Sequence, residues 1–313
     1  MEKELVTIIT PCHNSVEYLD RYWKSITSQT FGMEWMQIII VDDASDDDGY
    51  TVAKLRAFET QFPEQVAVIE LSENVRQGGA RNVALEYARG KYIQFVDSDD
   101  ELVPEAIATL YALAEEYQTD LIHYNSTYLG QDAMAVIRNR ADRVQLLSSG
   151  YFSCGHSMKF YRRDLILRTG SRFAVGKVYE EPLFTYPFLF TANRILFLKE
   201  NYYKATVREA STMSSTAKLH IMDHPRVQLE LLEFLLDRGY LEEYSEEIEE
   251  YFIWSFFYEI MTNILAMGTD CVSPEDLLWL KRTCLELFPN WESNQYIKNY
   301  DDKRMAILNL LKG

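Results

Sequence analysis

Strand and helix patterns alternate through the first hundred residues of this 313-residue chain, and this alternation limits the possible folds more than any other feature. Four short apolar runs are typical of buried strands, and the segments between them repeat apolar residues at helical spacing. A βαβαβαβ order of this kind predicts a mostly parallel sheet with right-handed crossovers and helices on both faces. The predicted strands are 5–10, 36–41, 66–71 and 92–96, and the predicted helices are 15–29, 50–62 and 79–88.

Polar or acidic residues follow each of these predicted strands. In open α/β sheets, ligands bind outside the carboxyl ends of the strands. We therefore expect the four strand ends to converge on one ligand site. The strand ends are Pro11-Cys12-His13-Asn14, Asp42-Asp43, Ser72-Glu73-Asn74 and Asp97-Ser98-Asp99-Asp100.

The rest of the sequence predicts a continuation of the α/β fold, followed by a helical region. Residues 120–124 predict a fifth strand, and the stretch from there to about residue 149 is predicted to be irregular. We divide the chain into an α/β domain, residues 1–217, which contains the site, and a C-terminal α-helical domain, residues 218–313. The further predicted helices are 104–117, 182–191, 225–237, 242–267, 274–287 and 303–312.

The strongly acidic composition limits the partners that the chain can bind. A formal net charge of −17 at pH 7 argues against nucleic acid, because a binding face must neutralise phosphates with Lys and Arg. A phosphate-bearing ligand would need a divalent cation or backbone N–H donors to offset its charge.

The four cysteines lack metal-ligand spacing and the N-terminus lacks a signal-peptide pattern, so we expect a cytoplasmic protein with free thiols.

The acidic segment Asp97-Ser98-Asp99-Asp100 is the strongest local signal for chemistry. Three carboxylates within four residues repel one another unless a cation or hydrogen bonds compensate. Hard oxygen ligands suit Mg²⁺ or Mn²⁺, which typically bind one or two carboxylates together with substrate phosphates. Taken alone, the segment is also consistent with acids that cap the helix predicted to begin at Pro104.

Two other segments offer contacts for a nucleotide. Asp42-Asp43 can accept hydrogen bonds from a base N–H or a ribose hydroxyl, or can form an Asx-type turn. The loop 74–82 contains two glycines and two arginines and leads into a helix N-terminus, a combination that suits a diphosphate. The loop matches neither the G-x-G-x-x-G dinucleotide fingerprint nor a Walker A loop, which argues against NAD and ATP.

Four segments match one known pattern in their order and spacing. They are Thr10-Pro11-Cys12-His13-Asn14, Val41-Asp42-Asp43-Ala44-Ser45, Gly79-Ala80-Arg81-Asn82 and Val96-Asp97-Ser98-Asp99-Asp100. In this combination the chain resembles the inverting family 2 glycosyltransferases of the Rossmann-like GT-A fold, across roughly the first 210 residues. The resemblance implies a metal ion, Mn²⁺ or Mg²⁺, and transfer of a sugar from a nucleotide diphosphate donor, usually a UDP-sugar, to an acceptor hydroxyl.

The same resemblance implies a role for each matched residue. Asp43 would accept a hydrogen bond from the nucleotide base, usually uracil; Asp97 would lie near the ribose, and Asp99 would bind the metal ion. Arg208 falls where relatives place a basic residue that closes over the diphosphate. The expected nucleotide-sugar site comprises Pro11, His13, Asn14, Asp42, Asp43, Gly79, Arg81, Asp97, Ser98 and Arg208.

An acidic pair stands at residues 180 and 181, where the family has a pair whose second member is the general base. Glu181 is therefore expected to be the base. The family's usual residue is Asp, and the extra methylene of Glu181 and the following Pro182 leave Glu180 as the alternative. The implied mechanism is a direct displacement that inverts the anomeric carbon while the base takes the acceptor hydroxyl proton. His156 is a lone histidine without an assigned role.

Two other functions stay open at this point. One is a catalytically silent module that binds a nucleotide-sugar, and the other is a nucleotidyltransferase, which would release pyrophosphate instead of UDP. The acceptor is expected to be a glycan, glycolipid or glycoprotein, in polysaccharide or glycoconjugate synthesis. The C-terminal helices could mediate a homodimer or peripheral association with the inner face of the membrane.

Overall fold

The computed structural model describes residues 5–126, 131–148, 154–206, 220–268 and 271–312. Within these residues, an eight-stranded sheet and a separate two-stranded antiparallel ribbon are present. The large sheet contains β1 (Val6–Cys12), β2 (Met36–Asp42), β3 (Val66–Glu70), β4 (Tyr92–Phe95), β6 (Leu121–His123), β7 (Ala133–Val136), β8 (Lys159–Arg162) and β9 (Arg194–Phe197), and the ribbon contains β5 (Glu101–Leu102) and β10 (Tyr203–Lys204).

Strand pairing places β1 within a parallel half of the sheet. β1 pairs in parallel with β2 on one side and with β4 on the other, and β3 pairs in parallel with β2. Beyond β4 the order continues with β8, β6, β9 and β7, and β8 is antiparallel to both of its neighbours. The chain therefore reverses its direction of travel across the sheet between β1 and β4, which is where α/β sheets of this kind bind ligands.

Helices cover both faces of the sheet, as predicted. The apolar run of β1 is nearly continuous because Val6 and Ile8 pack into the core on one face and Ile9 packs into the core on the other. The first face is covered by α1 (Leu19–Thr27), α2 (Tyr50–Gln61) and α4 (Ala106–Tyr117), and the second face by α3 (Arg76–Tyr87), α6 (Arg163–Thr169) and α7 (Pro182–Thr191). The predicted mostly parallel α/β fold is confirmed.

One stretch that was predicted to be irregular contains regular structure. Residues 125–149 include β7 and helix α5 (Arg140–Ser148), so that prediction was wrong. β7 is a half-buried strand paired with β9, and its two alanines give it a weak strand signal. The buried Arg143 guanidinium of α5 donates to the carbonyls of Leu189 and Ala192 at the end of α7, a tertiary contact that no local pattern reveals.

The described residues from 220 onward form helices around a third apolar core. A π-helical segment, Ile253–Glu259, joins two of the helices, and Phe190 of α7 belongs to the same core, so the helices pack against the α/β fold. No helix among the described residues is long and apolar enough to span a membrane. The helices are α8 (Asp223–Asp237), α9 (Tyr240–Glu243), α10 (Ser245–Phe252), α11 (Ile260–Met267), α12 (Pro274–Leu287) and α13 (Asp302–Leu308), and the 3-10 turns are Met33–Trp35, Trp291–Ser293, Ile297–Asn299 and Asn309–Leu311.

The predicted boundary between residues 217 and 218 lies outside the described residues and stays a prediction.

Candidate active site

A cleft of about 920 Å³ lies at the carboxyl ends of the parallel strands. Its volume is in the range of pockets that hold small molecules and cofactors. Asn14, Asp42 and Gly79 are not part of its lining, and Arg208 lies outside the described residues. The predicted site residues that do line the cleft are Pro11, His13, Asp43, Arg81, Asp97, Ser98, Asp99, Glu180 and Glu181.

Arg81 of α3 holds two acidic residues of the cleft together. Its guanidinium is 2% exposed and donates from Nη1 to Glu180 Oε1 and from Nη2 to Asp97 Oδ1, both at 2.7 Å. The guanidinium also lies over the Phe173 ring, 5.2 Å from its centroid. Burial alone would raise the pKa of Asp97, but the positive charges of Arg81 and His156 hold it well below its usual value. Asp97 is therefore an ionised anchor for Arg81.

The three carboxylates after β4 have different surroundings. The Asp100 carboxylate accepts hydrogen bonds from the Tyr203 hydroxyl and the Thr206 N–H, both at 2.7 Å, and burial raises its pKa to about 6. Thr206 Oγ1 also donates to the backbone carbonyl of Asp99 at 2.6 Å. Asp99 is half-buried and lines the cleft, whereas the Asp100 carboxylate holds the turn and the Asp97 carboxylate pairs with Arg81.

The residues around Asp99 fit a divalent cation that arrives with a phosphate ligand. Among the described residues, no three His, Cys, Asp or Glu side chains come together as a metal site. An Mg²⁺ or Mn²⁺ ion needs only one or two protein carboxylates when a diphosphate supplies further oxygens. Asp99 provides one hard oxygen donor at the cleft, which matches this mode of binding.

Asp42, the last residue of β2, and Asp43, which follows it, have different hydrogen-bond partners. Asp43 lines the cleft, and its Oδ1 accepts the Val75 N–H at 2.7 Å, which ties β2 to the start of α3. Burial raises the pKa of Asp43, and the hydrogen bond from Val75 offsets part of that rise. Asp42 instead accepts hydrogen bonds from the Ser45 N–H at 3.1 Å and the Ser45 hydroxyl at 2.6 Å. Asp42 therefore forms an Asx-type turn outside the cleft lining, and its nucleotide contact stays a prediction.

The turn after β1 is fixed by contacts to the turn after β2. His13 Nδ1 lies 2.9 Å from the carbonyl oxygen of Asp43. Asn14 has a positive φ of 49° and donates to Asp46 Oδ1 at 2.6 Å, and its own Oδ1 accepts the Asp46 N–H. Asn14 therefore links the turns after β1 and β2 by hydrogen bonds from outside the cleft, while Pro11 and His13 line the cleft.

The two glycines of α3 serve packing. A Cβ on Gly79 would lie 2.6 Å from Cγ2 of Val75. A Cβ on Gly78 would lie 2.4 Å from the Ala174 carbonyl oxygen and 2.8 Å from Cγ of Glu180. The absence of a side chain at Gly78 lets α3 approach the segment that carries the acidic pair, a role the sequence prediction did not give to Gly78.

Gly78→Ala is expected to destabilise the protein by about 1–3 kcal/mol, because the new methyl group meets a backbone carbonyl that has no room to move. Helix propensity alone predicts the opposite sign, a gain of about 1 kcal/mol for Gly to Ala within a helix. Urea unfolding of the variant and the parent separates the two effects. An increase in the free energy of unfolding would show that α3 does not pack against residue 174 as described.

The two members of the acidic pair differ in exposure. The Glu180 carboxylate is buried, and it accepts hydrogen bonds from Arg81 and, at 3.2 Å, from Gln77 Nε2. The Glu181 side chain is 26% exposed and lines the cleft at the start of α7. Burial and the neighbouring Glu181 raise the pKa of Glu180. For Glu181, burial opposes ionisation, but His156 and Arg81 outweigh it and lower the pKa. Glu181 is therefore the more accessible member of the pair and the one whose pKa is lowered.

Several residues of the cleft were missed by the sequence prediction. Tyr179 precedes the acidic pair with a positive φ of 62°, the kind of backbone strain that clusters at functional sites, and it packs edge-on against His224 of α8. Thr206 follows β10, and His156 lies between Asp97 and the acidic pair. The sequence gives a lone histidine or threonine no signal of its own, because its neighbours in space are distant along the chain.

An α/β fold with several carboxylates in a cleft at this switch point is the arrangement expected of a GT-A protein. The family model described as Glycosyl transferase family 2 matches residues 7–170. This match covers more than half of the chain, so the chain belongs to glycosyl transferase family 2.

Individual relatives are similar over different parts of their lengths. The poly(ribitol-phosphate) beta-N-acetylglucosaminyltransferase TarS of Staphylococcus aureus strain MW2 is 30% identical over 213 residues, which cover 67% of this chain and 37% of TarS. The uncharacterized glycosyltransferase YibD of Escherichia coli K12 is 24% identical over 330 residues, which cover 98% of this chain and 90% of YibD.

A solved structure supports the same fold. The crystal structure of S. aureus TarS 1–349 in complex with UDP-GlcNAc superposes with a TM-score of 0.69 at 22% identity, over 98% of this chain and 86% of that one. The structural similarity to TarS 1–349 thus extends over nearly all of the chain, although the chain spans little more than a third of the curated TarS sequence.

Proposed function

We propose that this protein transfers a sugar from a UDP-sugar to an acceptor hydroxyl, with inversion at the anomeric carbon and with a divalent cation. The observation that carries the proposal is the cleft itself, where the partly exposed Glu181 and the half-buried Asp99 line the same space. A direct sugar displacement needs two groups in one cleft: an acid that binds a phosphate-linked cation, and an ionised base.

The donor is proposed to be UDP-GlcNAc in the first instance. TarS has been crystallised with UDP-GlcNAc, and TarS and TarP are both named as beta-N-acetylglucosaminyltransferases. UDP-GlcNAc carries its sugar in the α configuration, so a β product corresponds to inversion. In this chain, Asp43, Pro11 and His13 are placed to hold the nucleotide, since all three line the cleft around the ends of β1 and β2.

The reaction requires one proton transfer by the protein. The acceptor oxygen forms a bond to the anomeric carbon as the Glu181 carboxylate takes the hydroxyl proton. The bond from that carbon to the β-phosphate oxygen breaks, and UDP leaves with the electron pair. A divalent cation at Asp99 would supply charge stabilisation on the departing diphosphate. Arg81, held by Asp97 and Glu180, keeps the walls of the cleft in place and is not proposed to move a proton.

The acceptor class proposed from the sequence is a glycan, glycolipid or glycoprotein. The names of TarS and TarP make a poly(ribitol-phosphate) chain the first acceptor to test. A homodimer through the helical region, peripheral association with the membrane and a cytoplasmic location are further predictions that need their own measurements.

Asp99→Asn tests the metal component of the proposal. The variant is expected to lower Mn²⁺-dependent release of UDP from UDP-GlcNAc by about 100-fold or more, since a Lewis-acid cation supplies several kcal/mol to such a reaction. Asp48→Asn is the matched control, because Asp48 is an exposed acid with the same charge change and is not part of the cleft lining. Full activity of Asp99→Asn would remove the metal from the proposal.

A further inference from the structure

His156 is buried between two carboxylates of the cleft. The residue is 5% exposed, and neither ring nitrogen reaches a hydrogen-bond partner within the described part of the chain. Its Nε2 lies 3.5 Å from Asp97 Oδ1, and its Nδ1 lies 3.7 Å from Glu181 Oε1. Each ring nitrogen of His156 therefore lies near a different carboxylate.

The charges around His156 favour the imidazolium form. The charged groups that face it are Arg81 of α3, Asp97 after β4, and the pair Glu180 and Glu181 before α7. With a neutral imidazole, the three carboxylates of Asp97, Glu180 and Glu181 would share the nearby Arg81 guanidinium, which leaves an excess of negative charge around His156. Protonation of His156 reduces this excess, and an isolated buried charge is costly. Burial and Arg81 lower the pKa of His156, but the Asp97 and Glu181 carboxylates raise it more, so the net change is upward from 6.5.

The backbone around His156 is held by side chains from other elements. Lys159 Nζ donates to the carbonyl of Gly155, which directly precedes His156. Gln94 Nε2 and the Tyr124 hydroxyl both donate to the carbonyl of Ser157, at 2.9 Å and 2.8 Å. A side chain on so firmly fixed a segment has little freedom to turn away from its two acids.

The imidazole ring is held on its apolar sides as well. The rings of Phe95 and Phe173 lie 5.8 Å and 5.7 Å from it at angles of 83° and 89°, with both contacts edge to face. Phe173 is also the ring that lies beside the Arg81 guanidinium. The aromatic side chains therefore restrict the plane of the imidazole and cover part of both His156 and Arg81.

We propose that His156 is a positioning residue that bridges Asp97 and Glu181 as an imidazolium and keeps the Glu181 carboxylate ionised and oriented towards the acceptor. This inference rests on the proposed function, because it concerns the same base. His156 is only 5% exposed and its Nδ1 lies beside the more exposed Glu181 carboxylate, so its action is assigned to pass through Glu181. The distances of 3.5 Å and 3.7 Å are longer than hydrogen bonds, as catalytic contacts often are before a ligand binds and tightens them.

The first test measures the coupling between His156 and Glu181 without any turnover. NMR titration of the histidine-labelled protein, with the His156 signal assigned by its loss in His156→Gln, is expected to give a midpoint above 6.5. In Glu181→Gln the His156 midpoint is expected to fall by about one pH unit, since one of its two acidic neighbours is neutral. An unchanged His156 midpoint in Glu181→Gln would overturn the proposal.

The second test uses the pH dependence of UDP release from UDP-GlcNAc. His156→Gln is expected to lower kcat about tenfold or more and to move the acid limb of the kcat profile to higher pH, because loss of the cation raises the pKa of Glu181. His123→Gln is the matched control. His123 is likewise buried, but it lies at the end of β6 and packs against Phe197 of β9. Its loss should leave the acid limb of the kcat profile in place. An unshifted limb in His156→Gln would also contradict the inference.

The two proposals fail in different ways. If Glu181→Gln keeps full activity, the proposed base is wrong whatever His156 does. If Glu181→Gln is inactive while the His156 midpoint and the acid limb do not respond, the proposed function stands and only the role of His156 is lost.

Discussion

Glu181→Gln is expected to lower kcat by about 10² to 10⁴, the usual contribution of a general base, while the affinity for UDP stays near that of the parent. Gln has nearly the shape of Glu but cannot take a proton. The Glu181 carboxylate is partly exposed in the cleft and is kept ionised by His156 and Arg81, so the loss should fall on the chemical step. Single-turnover kinetics together with UDP titration separate the two quantities.

Glu180→Gln provides the matched comparison for that result. Its charge change is identical, but the Glu180 carboxylate is buried against Arg81 and Gln77. The main effect of Glu180→Gln should therefore be a lower free energy of unfolding. If Glu180→Gln abolished the chemical step in a stably folded protein while Glu181→Gln did not, the roles of the two residues would be reversed.

Arg81→Met is expected to destabilise the protein by about 3–5 kcal/mol, the cost of leaving buried charges without their partner. The Arg81 side chain is 2% exposed, and its removal takes from the Glu180 and Asp97 carboxylates the hydrogen-bond donor that they share. Urea unfolding at pH 7 measures the change, and circular dichroism before unfolding shows whether the variant still has the fold.

Arg56→Met is the control for this prediction. Arg56 also pairs with two acids, Glu59 and Glu70, but the guanidinium is about half exposed, and surface pairs of this kind contribute about 1 kcal/mol or less. Similar losses in the two variants would mean that the Arg81 cluster is not a buried charge network.

Local patterns were sufficient to predict the parallel half of the sheet. The apolar runs that became β1, β2 and β4 are buried on both faces, so their sequences carry no polar alternation to confuse the pattern. The strand ends were predictable for the same reason, because a buried strand must stop where polar residues begin. Strand β7 was missed because it is short, half-buried and stabilised by pairing with a strand about sixty residues away along the chain.

The division of labour within the site could not be read from the sequence. Asp42 and Asp43 are adjacent and chemically identical, and only the fold shows that one closes a turn with Ser45 while the other lines the cleft. Arg81 and Glu180 are 99 positions apart, so no spacing rule pairs them. The resemblance to a family supplied the expectation that an acidic pair contains the base, and exposure in the cleft supports Glu181 over Glu180.

The most direct test of the central claim is an NMR time course of the reaction of UDP-GlcNAc with the protein and Mg²⁺, repeated with UDP-Glc, UDP-Gal and UDP-GalNAc. Phosphorus spectra identify the leaving group, and the anomeric proton identifies the configuration of the first sugar product, on water or on an added acceptor. We predict UDP and a β-configured product from at least one of these donors. Release of pyrophosphate, a first product with the α configuration, or no turnover of any of the four donors would contradict the account.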